Sequence, residues 1–245
     1  MLSITTEVKY SRGSKEIGAA KSFAWEYPVP NNAFWGPLDF VAGRNFLKCF
    51  SSSELQAMEP RLIGSLPNPE KYELLLKILN EKLEAGDKAA APKTLQEVDH
   101  KVWDDLMLGV VTMYARLNRL VDQESTLCLL IAKRQDPCNL SHLYNLAGVL
   151  LEQGKYAEAE EMASEARDWL DGKLGKESPQ ALGARKIIVE AVWKQGRVEK
   201  ARGLMGEMEK IVEGGGEGTF GIYMDEQREM LSRKREELEV WKEGE

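Results

Sequence analysis

LYNLAGVLLEQGKYAEAEEMASEARDWL (Leu143–Leu170) has the pattern of two amphipathic helices joined by a short turn. From Leu143, apolar residues recur at i+3, i+4, i+7 and i+8, which is one face of a helix. Gly154 then predicts a helix end, because glycine is common just past the last helical residue. A second apolar face begins at Tyr156 and continues through Ala159. The short turn between these two faces predicts an antiparallel helix pair.

The stretch ARKIIVEAVWKQGRVEKARGLMGEMEKIV (Ala184–Val212) repeats this layout. Gly196 corresponds to Gly154, 42 residues earlier, and Ala201 corresponds to Ala159. A fixed spacing of this size between helix pairs is the signature of a solenoid-type repeat.

These two stretches resemble the tetratricopeptide repeat. The first copy has the family's large apolar, small and tyrosine positions: Leu143, Leu146-Ala147, Leu150, Gly154-x-Tyr156, Ala159, Ala163 and Ala166. The second copy departs from the pattern, with Arg185 at the large apolar position and Val198 at the tyrosine position. The 42-residue period is longer than the usual repeat of about 34 residues. In this it is similar to the variant found in kinesin light chains.

The resemblance implies an all-α fold, a right-handed superhelical array of antiparallel helix pairs known as an α-solenoid. We expect an aromatic-rich helical N-terminal segment over residues 1–94 and repeats over residues 95–213. One repeat is degenerate and two are clear. The degenerate unit has Trp103, Leu106, Val110, Met113 and Tyr114 on one face of its first helix.

Residues 219–245 predict a C-terminal capping helix. Met224, Leu231 and Leu238 recur every seven residues, and Trp241 follows. Such a helix would cover the apolar face of the last repeat, as the end of a repeat array requires.

The N-terminal third is unusually aromatic, since residues 1–50 hold nine of the nineteen aromatic residues. Ser51 to Glu54 form a plausible capping box, and a helix is predicted from Pro69 to about Leu83. The stretch from Glu84 to Thr94 is the most linker-like in the chain. A domain division there and a surface loop inside one array both remain open.

Composition excludes several functional classes. The net charge of −7 disfavours nonspecific binding to nucleic acid. The three cysteines form no C-x-x-C pair, so we expect reduced thiols. The first residues show no signal peptide, and no stretch approaches the ~18 apolar residues of a membrane span. We therefore expect a cytoplasmic or nuclear protein that does not bind membranes.

No motif in the sequence indicates catalysis. His100 has Asp104 four residues later on a predicted helix, a pair that could hold a metal or transfer protons. A solvated helix face with a chance histidine is the preferred interpretation, and His142 is expected on the surface. Phosphate-loop, zinc-protease and nucleophile-elbow motifs do not occur. We predict no catalytic residues, no metal and no cofactor.

The resemblance also implies a binding surface, because the first helix of each pair lines a concave face in this family. The positions transferred from the family are Tyr144, Gly148, Leu151 and Glu152 in the first clear unit, and Lys186, Glu190, Trp193 and Lys194 in the second. Trp193 is the expected apolar anchor, because tryptophan is frequent among residues that dominate interface energy. The alternative is that the aromatic N-terminal segment or the terminal helix covers Trp193.

Two functions follow from these features. The first is a non-enzymatic scaffold that binds a protein or peptide segment on the concave face of the array. The second is an enzyme or small-molecule binder with a pocket between the aromatic N-terminal segment and the repeats. Fold alone does not decide between them.

Overall fold

The structure is a computed structural model that describes residues 4–5, 29–30, 34–35, 38, 40–62, 66–215 and 220–240. The chain divides into two compact units, Met1–Thr126 and Leu127–Glu245. The boundary falls inside a helix, downstream of the linker-like stretch at residues 84–94. Each unit is described by itself.

The described part of the chain is all-α apart from one two-residue ladder, in which β1 (Ile4–Thr5) pairs antiparallel with β2 (Val29–Pro30). The helices are α1 (Phe40–Leu47), α2 (Ser52–Met58), α3 (Asn68–Ala90), α4 (Leu95–Val98), α5 (His100–Arg116), α6 (Leu120–Lys133), α7 (Ser141–Glu152), α8 (Tyr156–Leu174), α9 (Pro179–Lys194), α10 (Val198–Gly214) and α11 (Met224–Val240). Short 3-10 helices lie at Glu59–Arg61 and Gly221–Tyr223.

The core of the first unit lies where α3 and α1 pack against α5. The apolar face that sequence analysis assigned to a degenerate repeat helix is the face of α5 that enters this core. The fully buried side chains of this core include Phe46 of α1, Leu75 and Leu79 of α3, and Leu106 and Met113 of α5. The helix that contains Trp103 and Leu106 is therefore packed on the N-terminal helices of its own unit.

The aromatic residues described in this unit belong to the same core. Phe34 and Trp35 are buried and meet edge to face, with ring centroids 5.2 Å apart. The Lys71 ammonium, buried on α3, donates to the Phe34 carbonyl oxygen at 2.8 Å. Burial lowers the pKa of Lys71. Four further aromatic residues, Tyr10, Phe23, Trp25 and Tyr27, lie outside the described residues, as does the side chain of Phe40.

Two helix boundaries in this unit test local sequence signals. The predicted capping box is confirmed: Ser51 accepts from the Glu54 amide, and Glu54 accepts from the Ser51 amide. The predicted end of α3 near Leu83 is wrong, because the helix continues to Ala90. The extra turns contain strong helix formers, mainly alanine, glutamate and lysine. Most of the linker-like stretch is therefore helical.

Cysteine chemistry in the described chain is that of free thiols, with Cys49 buried and Cys128 and Cys138 exposed. Cys49 Sγ lies 3.1 Å from the Asn45 carbonyl oxygen and 3.2 Å from the Asp105 carbonyl oxygen, and its single S–H can be shared between them. Burial raises the pKa of Cys49 to about 12. This thiol is therefore a packed core group and a poor nucleophile.

The second unit contains two helix hairpins, α7–α8 and α9–α10. Gly154 and Gly196 adopt φ values of +77° and +76° in the two turns, so both predicted turns are confirmed. A positive φ is strained for residues with a side chain, which explains the glycine at both positions. Within this unit α7 packs on α8, α8 on α9, α9 on α10, and α7 also on α9.

Small residues allow these helices to approach closely. The alanines that defined the repeat pattern are fully buried: Ala147, Ala159, Ala163, Ala166 and Ala201. Larger apolar side chains from α9, α10 and α11, among them Ile188, Val192, Met205 and Leu231, fill the adjoining core. Most positions of the repeat pattern are thus buried, whereas Tyr156 and Met162 of the predicted second apolar face are only partly buried.

Candidate partner-binding surface

The first helices of the two hairpins lie side by side in a fixed register. Tyr144 of α7 packs against Gly183 of α9, where an added Cβ would lie 2.5 Å from the Tyr144 hydroxyl oxygen. One turn later, Gly148 of α7 faces Ile187 of α9, where an added Cβ would lie 3.9 Å from Ile187 Cδ1. Both pairs are 39 residues apart, so α7 and α9 run parallel.

This contact predicts opposite outcomes for two glycine-to-alanine changes. Gly203 lies on an exposed face of α10 with open space around it. Gly203→Ala should therefore raise the free energy of unfolding by about 0.5–1 kcal/mol through helix propensity. Gly183→Ala should lower it by about 1 kcal/mol, because the Tyr144 ring must move. Urea unfolding of both variants measures the difference. Equal stabilisation would mean that Tyr144 does not pack on Gly183.

Helix α11 packs mainly on α10 and also reaches α9 through two side-chain contacts. Lys186 Nζ donates to Met230 Sδ at 2.8 Å, and Lys234 Nζ forms an ion pair with Glu190 Oε2 at 2.7 Å. Both pairs are 44 residues apart, which is again the pattern of parallel helices. The contacts of α11 with α9 therefore follow one register along the two helices.

The surroundings of Lys186 and Lys234 shift their pKa values in opposite directions. Burial lowers the pKa of Lys186, while the Glu226 carboxylate opposes the shift. Burial also acts to lower the pKa of Lys234, but its hydrogen bonds and charge interactions with Glu190 and Glu237 prevail and raise it. Lys186 and Glu190, both predicted partner-binding residues, are thus engaged by the protein's own terminal helix.

Trp193, the predicted apolar anchor, is only 8% exposed. Its ring belongs to the same core as Met224 and Leu231 of α11, and the Arg202 guanidinium of α10 lies 5.9 Å from the ring centroid. This separation is within the range of a cation–π contact. Trp193 therefore lies in the core of its unit and is not exposed as a groove residue.

The accessible part of the predicted surface lies at the C-terminal ends of α7 and α9. Glu152 is exposed, while Leu151, Lys194 and Tyr144 are partly buried. Burial raises the pKa of Tyr144. Leu151, Glu152 and Lys194 together offer one apolar and two oppositely charged groups. They can bind a segment that has an apolar side chain and polar neighbours.

The two histidines lie on different helices of the described chain. His100 begins α5, with its ring centroid 5.4 Å from that of Trp103. His142 is 7% exposed, so its predicted surface position is wrong. It lies beside Leu143 on the inner face of α7. Among the described residues, no three His, Cys, Asp or Glu side chains are grouped to hold a metal ion.

Sequence reasoning missed a charged cleft of about 410 Å³ between α8 and α10. Its clearest signal was Arg185, which stands where the repeat pattern has a large apolar residue. Arg185 forms a two-pronged ion pair with Asp171, with N–O distances of 2.8 and 2.5 Å. The arginine at an apolar position of the repeat pattern thus belongs to an ion pair in the wall of the cleft.

No family model matches the chain, and no curated protein matches it. None of the helices in the described residues combines the length and apolar character that crossing a membrane requires.

Proposed function

We propose that the unit Leu127–Glu245 is a short tetratricopeptide-like solenoid that binds a protein or peptide segment. The observation that supports this proposal is the fixed register of the contacts between α7 and α9 and between α9 and α11. In a right-handed superhelical array, these helices would line the concave face. The protein would then act as a scaffold or adaptor.

The proposed contact surface is the open C-terminal end of this face. Leu151 supplies apolar contact, and Glu152 and Lys194 supply charges of both signs. In the described part of the chain, Glu152 has no hydrogen-bond or ion-pair partner. It can therefore bind a basic or amide group of a partner without breaking an existing contact.

The second function, a pocket lined by N-terminal aromatic residues, has no such support. Phe34, Trp35 and Phe46, which are among the aromatic residues described, are packed into the core of their own unit. These described rings contribute to the core of the first unit. We therefore retain the scaffold as the proposed function.

The test compares two double variants that have the same types of substitution. Leu151→Asp with Glu152→Lys alters the proposed surface. Ala157→Asp with Glu158→Lys makes similar changes at two exposed positions of α8. The full-length protein is used to recover partners from native lysate, and the partners are identified by mass spectrometry. Affinity for a recovered partner is then measured by calorimetry.

We expect the α8 variant to bind as the natural sequence does and the surface variant to bind at least about tenfold more weakly. A tenfold change corresponds to about 1.4 kcal/mol, within the range of one important interface residue. Circular dichroism should show equal helix content in both variants. Full affinity in a folded surface variant would exclude this face as the binding site.

A further inference from the structure

Helices α8 and α10 are held together near their N-terminal ends. The Glu160 carboxylate accepts from Gln195 Nε2 at 2.9 Å and forms ion pairs with Arg197 at 2.6 Å and Lys200 at 2.9 Å. Lys200 lies on α10, while Gln195 and Arg197 lie in the turn that precedes it. Further along the same two helices, this direct connection gives way to the cleft of about 410 Å³.

The floor of the cleft is apolar and its rim is charged. Ile188 of α9 and Leu204 and Ile211 of α10 supply aliphatic surface. Lys176 and Lys210 lie at the rim. Neither lysine has a hydrogen-bond or ion-pair partner in the described residues. The rim therefore presents two ammonium groups that are available to a ligand.

Arg185 adds a fixed cation to the wall. Its guanidinium donates three N–H groups, two to the Asp171 carboxylate and one to the Ala181 carbonyl oxygen. Guanidinium has five N–H donors, so two have no partner within the described part of the protein. The side chain is only 13% exposed. Because Arg185 lines the cleft, its remaining donors can bind an anion there.

The balance of charge in the cleft favours an anion. Asp168 and Asp171 are each paired with an arginine, Arg167 and Arg185. Once these pairs are set aside, two lysines face one carboxylate, that of Glu207. A net positive rim above an aliphatic floor matches a molecule with an anionic head and an apolar body.

We propose that this cleft binds a small organic anion with an aliphatic body, such as a medium-chain carboxylate. The anionic head would lie between Lys176, Lys210 and Arg185, and the aliphatic chain would lie on Ile188, Leu204 and Ile211. The volume falls in the range of about 300–1,000 Å³ typical of small-molecule sites. The site is separate from the proposed partner surface at Leu151 and Glu152, so either proposal can fail without the other.

The test uses octanoate as the probe and the full-length protein with ¹³C-labelled methyl groups. Octan-1-ol and octylamine are the matched probes, because they keep the chain length and change the head group. The test variant is Lys176→Gln with Lys210→Gln. The control is Lys88→Gln with Lys173→Gln, two exposed lysines that do not line the cleft. Circular dichroism checks that both variants are folded.

We expect saturable methyl shifts of Ile188, Leu204 and Ile211 with octanoate, at least about tenfold tighter than with octan-1-ol. The cleft variant should bind octanoate at least about tenfold more weakly, within the range of one charge-assisted hydrogen bond. The control should bind as the natural sequence does. Three results would overturn the proposal: no saturable shift, equal affinity for octan-1-ol, or full affinity in a folded cleft variant.

Discussion

Deletion of residues 219–245 is expected to leave a protein that self-associates and unfolds at a lower temperature. Met224 and Leu231 of α11 are buried in one core with Val192 and Met205. Burial of one large apolar side chain contributes about 1.5–3 kcal/mol, so loss of these two should cost about 3–6 kcal/mol. The uncovered apolar patch should also promote association. Light scattering after size exclusion and thermal melting measure both effects.

A point variant separates the capping role of α11 from the effects of truncation. Leu231→Asp places a charge in the buried face of the helix, whereas Ser232→Asp adds the same charge at an exposed neighbouring position. We expect the first change to reproduce most of the loss of stability. The second should be nearly neutral. If the deletion variant stays monomeric and melts at an unchanged temperature, α11 is not a cap.

Ala159→Trp is expected to be the most damaging single substitution in the α7–α8 hairpin. Ala159 is 0% exposed, so an indole ring has no room without separation of the helices. Overpacking of this kind usually costs about 1–3 kcal/mol, and the large volume change here places the cost at the upper end or above. Urea unfolding monitored by circular dichroism gives the value.

Ala157→Trp is the matched control, because Ala157 lies two residues earlier on the same helix and is exposed. It should cost about 0.5 kcal/mol or less, mainly through lower helix propensity. Equal stability of the two tryptophan variants would contradict the repeat pattern, since that pattern rests on Ala159 facing a neighbouring helix.

Local signals predicted much of the second unit. Glycine at the end of each helical pattern predicted the turns at Gly154 and Gly196, where the backbone is left-handed. Helical spacing predicted the buried alanines. The serine and glutamate three residues apart predicted the capping box at Ser51. In each case the determining interactions lie within a few residues of one another, or within one helix pair.

Features that depend on distant partners were less accessible from the sequence. Helical spacing indicates which face of α9 is apolar, but it does not show that Trp193 is buried in the core of its unit with Arg202 beside its ring. His142 was expected on the surface because its neighbours in space were unknown. The pairing of Arg185 with Asp171 is likewise a contact between two helices, and no periodicity predicts it.

The contacts made by Glu160 and Asp171 have a consequence for how the second unit melts. Both residues lie on α8, and their partners Lys200 and Arg185 lie on the following hairpin. In a linear array, cooperativity depends on the free energy of the interfaces between neighbouring repeats. These ion pairs cross that interface near both ends of α8, so neither hairpin can unfold without breaking them. The two hairpins should therefore lose their structure in a single all-or-none transition.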